Sequence, residues 1–91
     1  MENLFVWVFN GNQGNYGFPS AVFSTKEFGE NWIKNNKLSG TLSRYPIDIP
    51  LYEWAISNDY IKPMKEININ PNTIANFTSS HIEHYHYEDG K

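Results

Sequence analysis

Cysteine is absent from this chain. With it go disulfide scaffolds, Cys-rich zinc sites, iron–sulfur clusters and thiol catalysis, and the absence fits a reducing compartment. Long apolar runs are missing too. The longest, Leu4 to Phe9, is far too short for a signal sequence or a membrane span, and no basic stretch precedes it. A soluble cytoplasmic protein with no membrane partner is the expectation. Basic side chains are few and scattered: 7 Lys and Arg stand against 10 Asp and Glu, for a net charge of −3. Duplex nucleic acid is bound by Lys and Arg neutralising several phosphates together, so nucleic acid is not an expected partner. The acidic excess is too mild to point to a basic one.

What the chain has is aromatic residues and tight punctuation. Three Trp, six Tyr and six Phe in 91 residues supply large buried areas per side chain, enough for one core and no more, so a single domain over 1–91 is expected. Leu4-Phe5-Val6-Trp7-Val8-Phe9 is apolar at every position, which predicts a central strand with both faces buried. Asn10-Gly11 opens a turn, and Phe18 to Phe23 reads as the return strand of a hairpin, with Pro19 at its start or edge. Ser24-Thr25-Lys26-Glu27 has capping-box spacing and starts a helix that ends near Asn35-Asn36, with Phe28, Trp32 and Ile33 as its inward face. Thr41 to Tyr45 predicts a third strand, and Pro46 and Pro50 bracket Ile47-Asp48-Ile49 as an extended connection.

A second helix follows from Pro50 to Asn58, with Leu51, Trp54, Ala55 and Asn58 on one face. Met64 to Pro71 is polar and Asn-rich and reads as a loop. Asn70 then caps a short third helix anchored by Ile74 and Phe77. His81 to Tyr87 alternates with period two and predicts a last strand, while the loop tip 11–17 and residues 88–91 are expected to be mobile. The fold class is α+β: a small, mainly antiparallel sheet built on the N-terminal hairpin with one or two further strands, and two main helices packed on one face.

No catalytic or cofactor-binding motif stands out. No Ser, Thr or Tyr sits at a strand-to-helix turn beside a base, and Ser24 is accounted for by capping. Gly11-Asn12-Gln13-Gly14-Asn15-Tyr16-Gly17 has a glycine every third residue, yet it runs between strands and carries no basic side chain, unlike a phosphate loop. It is a hairpin tip, and Asn12, Gln13, Asn15 and Tyr16 on it are candidate contact residues. Phe5, Trp7 and Tyr45 could stack on single-stranded bases, but with no positive groove core packing explains them better. On a terminal strand, His84, His86 and Glu88 would point one way, roughly 6.5 to 7 Å apart, and two imidazoles with a carboxylate suit a divalent transition metal such as zinc. His81 is a further candidate ligand. The plain alternative is a solvated strand whose imidazoles titrate and whose Tyr85 and Tyr87 offer a contact surface.

Val6-x-Val8-Phe9-Asn10-Gly11, Phe18 to Ser24, Trp32-Ile33, Leu38-Ser39-Gly40-Thr41-Leu42, Tyr45-Pro46-x-Asp48, Tyr52-x-Trp54-Ala55 and His84-Tyr85-His86-Tyr87-Glu88 together resemble a family of small uncharacterised bacterial domains. The resemblance covers most of the chain. It implies a domain of unknown function, found as short standalone proteins of the bacterial cytoplasm, and brings no reaction, cofactor or partner with it. The leading expectation is a non-enzymatic interaction or regulatory module, without cofactor, that meets a protein partner or a second copy of itself. The alternative is a metal-binding protein or metal-dependent enzyme built on His84 and His86.

Overall fold

The computed structural model describes residues 4–12, 17–63 and 70–91. Gln13, Asn15 and Tyr16, most of the loop tip 11–17, and all but the last two residues of the loop read over 64–71 lie outside these residues. The chain forms two compact units, residues 1–47 with 82–91, and residues 48–81.

The first unit is a sheet with one helix. Among the described residues it has four strands, β1 (Phe5–Gly11), β2 (Ala21–Phe23), β3 (Gly40–Pro46) and β4 (His84–Tyr87), all antiparallel and ordered β2-β1-β3-β4. β1 is interior, as its apolar run predicts. Strand alternation sends Trp7, Phe9, Phe23, Leu42, Tyr85 and Tyr87 to one face. There Trp7, Phe9 and Leu42 join Ile33 of helix α1 (Lys26–Asn36) in the core. The opposite face carries Val6, Val8, Tyr45, Ser43, Thr41, His84 and His86, and Val22 on it is 62% exposed. The expectation that β1 is buried on both faces is therefore corrected: Trp7 and Phe9 are buried, whereas Val6 and Val8 are half-buried.

β2 is shorter than the run Phe18 to Phe23 suggests. Pro19 has no N–H to give the ladder, the first main-chain hydrogen bond to β1 is Ser20 N–H to the Phe9 carbonyl at 2.9 Å, and Phe18 is exposed. The capping box is likewise replaced by a single cap one residue later, where Thr25 Oγ1 accepts from Phe28 N–H at 3.2 Å. Glu27 sits in the first turn, where a carboxylate favours the positive helix end. The buried face of α1 is Gly29 and Ile33, with Trp32 half-buried, and Phe28 is 61% exposed. Apolar counting misses this face because its centre is a glycine. A Cβ on Gly29 would lie 3.0 Å from Leu42 Cδ1, so glycine is what lets the helix lie this close to the sheet.

The helix ends at Lys37, which is left-handed (φ 54°), with Lys37 N–H bonding to the Lys34 carbonyl and Leu38 N–H to that of Ile33. Residues 88–91, expected above to be mobile, fold into a turn joined to this corner. Gly90 N–H reaches the Leu38 carbonyl at 2.8 Å, and Asp89 N–H reaches Ser39 Oγ at 3.0 Å.

The second unit holds α2 (Leu51–Ser57) and α3 (Pro71–Asn76). The extended connection expected over 47–49 is broken by Asp48, whose φ is 66°. In α2 the buried residues are Tyr52 and Ala55, so Tyr52 belongs on the inward face from which spacing omitted it. Its ring meets that of Phe77 edge-on at 5.6 Å. Asn70 caps α3 as its sequence predicts, its Oδ1 accepting from Thr73 N–H at 2.9 Å. Phe77 is the anchor of that segment; Ile74, expected to share the task, is exposed.

Candidate functional site

β4 is the outer strand next to β3, and among the described residues no further strand pairs with it. Its register determines which main-chain groups look outward. Arg44 N–H bonds to the Glu83 carbonyl at 2.9 Å, so 44 and 83 form a hydrogen-bonded pair, and in the same register 42 with 85 and 40 with 87 do too. Positions 84 and 86 fall in the alternate pairs. Their N–H and C=O groups point away from β3, toward the open edge.

The two edges of the sheet differ. β2 has three residues and follows Pro19, both devices that blunt an edge. β4 is a regular His-Tyr-His-Tyr segment with no Lys, Pro or bulge in it.

The same two residues bring the imidazoles together. Their ring centroids lie 5.2 Å apart in a T-shaped arrangement, on the face away from α1. His84 Nδ1 is 2.7 Å from the Ile82 carbonyl oxygen. A carbonyl only accepts, so Nδ1 carries the proton of this hydrogen bond and Nε2 keeps the lone pair when the ring is neutral. His86 Nδ1 lies 3.1 Å from Thr41 Oγ1, its cross-strand neighbour. Both rings are thus held through Nδ1, the way a metal-binding imidazole is oriented by its second nitrogen.

The other predicted ligands stand elsewhere. β4 stops at Tyr87, so Glu88 does not continue the row. It opens the C-terminal turn, exchanging main-chain hydrogen bonds with Lys91 at 3.1 Å, and lines a cleft of about 490 Å³ with His86, Asn12 and Lys91. His81 belongs to the second unit, stacked flat on Tyr60 at 4.1 Å. Among the described residues no group of three or more His, Asp or Glu side chains is placed to share one ion.

Tyr85 and Tyr87 point to the α1 side of the sheet. Tyr85 stacks on Trp7, has Lys26 Nζ 3.9 Å from its ring centre, and donates its hydroxyl hydrogen bond to Glu83. That hydrogen bond, more than its small burial, raises the phenol above its usual value. Tyr87 donates to Glu30 of α1, and here burial comes first in pushing the phenol up, followed by the carboxylate's hydrogen bond and charge. Asn12 gives its N–H to the Ser39 carbonyl at 3.2 Å. It also lines a larger cleft of about 650 Å³, floored by Phe9 and Trp32 and rimmed by Ser39, Glu88 and Asp89. Sequence reading missed Thr41 and Ser39: nothing local shows that Thr41 will stand opposite His86, and only the strand register does.

No helix among the described residues is long and apolar enough to cross a membrane. Comparison with curated proteins and with solved structures found no match to this chain. The family model described as Domain of unknown function (DUF7710) matches residues 6–91, from the second residue of β1 through the C-terminal turn, and the chain belongs to that family.

Proposed function

We propose that this protein is a non-enzymatic interaction module that binds by strand addition at the free edge of β4, in the first instance to a second copy of itself. The carrying observation is the edge: His84 and His86 direct main-chain donors and acceptors outward from a strand with no Lys, Pro or bulge in it. An antiparallel copy would exchange four main-chain hydrogen bonds there. At about 1 kcal/mol each, these roughly cancel against the ~4 kcal/mol or more lost in association, so pairing in the millimolar range needs a further ~4 kcal/mol from surface buried along the seam. Tighter binding has to come from side chains that meet across the new seam.

The test uses two substitutions at one position. His86→Pro removes an outward N–H without touching the ladder to β3, whereas His86→Ala removes the side chain and keeps that N–H. In EDTA at about 1 mM protein, where weak pairing is populated, sedimentation should show reversible dimers of the wild type and of His86→Ala but not of His86→Pro. Amides 84 and 86 should exchange more slowly as concentration rises. Dimers of the proline variant equal to wild type would overturn the reading.

A further inference from the structure

We infer that His84 and His86 are half of a divalent transition-metal site, of the zinc class, that a second copy of the chain completes. The inference deepens the strand-addition reading and rests on it. One chain supplies two imidazoles side by side, each oriented through Nδ1, and no third donor among the described residues. A zinc-class ion takes four ligands, nitrogen donors among the best of them. Symmetry supplies the rest.

Of the antiparallel registers open to β4 against itself, pairing centred on Tyr85 engages both outward residues of both copies. Centring on His84 would instead set His86 against Ile82, which is buried and lies before the strand. Centring on Tyr85 places His84 opposite His86 of the second copy, and His86 opposite its His84. These are hydrogen-bonded pairs with Cα atoms about 5.5 Å apart. Because 84 and 86 share the face away from α1, all four imidazoles gather on one side of the joined sheet around the two-fold axis. Four nitrogen donors at a closed site describe a structural metal that fastens two copies. The ion would supply the side-chain contribution that main-chain pairing needs.

The experiment is sedimentation of the full chain at roughly 20 µM, below the range of unaided pairing, in EDTA and with zinc or cobalt(II), beside calorimetric stoichiometry. The expected result is a metal-induced dimer holding one ion per two chains. Association should tighten at least tenfold over EDTA, and cobalt should show the visible absorption of a tetrahedral nitrogen site. His84→Ala and His86→Ala should each lose all of this while keeping the wild-type melting profile in EDTA. Binding of one ion per chain without dimerisation would overturn the shared site. Dimers that form equally in EDTA and zinc, and vanish only with His86→Pro, would overturn the metal inference and leave strand addition standing. A chain that stays monomeric at about 1 mM, with amides 84 and 86 indifferent to concentration and metal, would overturn both.

Discussion

Gly40 faces Gly11 across β1 and β3, and the contact explains why neither a turn nor flexibility is what the residue provides. A Cβ there would fall on the Asn10 carbonyl oxygen and lie 2.6 Å from Phe9 Cζ. Backbone cannot yield as a side-chain tip can, so Gly40→Ala should cost about 3 kcal/mol, read as a lower urea midpoint with unchanged slope. In the sequence Leu38-Ser39-Gly40 looks like loop punctuation, since the ring it must clear is 31 positions away. Lys37 is the opposite case, a side chain where glycine would be easier. It is exposed and left-handed at the end of α1, and its main-chain bonds there need no Cβ. Lys37→Gly should gain about 1 kcal/mol and raise the thermal midpoint by roughly 5 °C.

Between elements, the Tyr87–Glu30 hydrogen bond joins β4 to α1 across 57 positions. The phenol is raised above its ordinary value of 10.0, so the folded chain keeps it protonated where the unfolded chain has begun to ionise it. The unfolded state then binds fewer protons, and stability falls as pH rises. Its contribution is whole below pH 10 and fades above it. Tyr87→Phe should cost about 1 kcal/mol at neutral pH and make the alkaline decline between about pH 9 and 11 shallower, as urea titrations at each pH would show. Local chemistry made several elements legible: the Asn70 cap acts within three residues, β1 is interior because its run is apolar, and β4 announces itself by alternation. Distant contacts were not legible. The Gly29 face of α1 depends on Leu42, the outward aim of His84 and His86 depends on the Arg44–Glu83 bond, and Glu88 leaves the row because Asp89 and Gly90 bond back to Ser39 and Leu38. The histidine pair could be read from spacing, but the main-chain edge it sits on could not.

Taken whole, the molecule carries a formal charge of −3, and self-association must bring two such charges together. Nothing at the β4 seam pairs opposite charges, because the residues that meet across it are His and Tyr. Long-range repulsion therefore opposes pairing, and salt screens it as the Debye length shortens from about 30 Å at 0.01 M to about 8 Å at 0.15 M. Association in EDTA should accordingly tighten with salt, by roughly two- to threefold between about 20 and 200 mM sodium chloride, the reverse of an interface held by ion pairs. With zinc at the two-fold axis, two added positive charges offset part of that repulsion, so the same titration should give a shallower slope. A sedimentation series in both conditions reads the two slopes directly. Association that weakens with salt in EDTA would mean that oppositely charged surfaces, not the main chain of His84 and His86, bring the copies together.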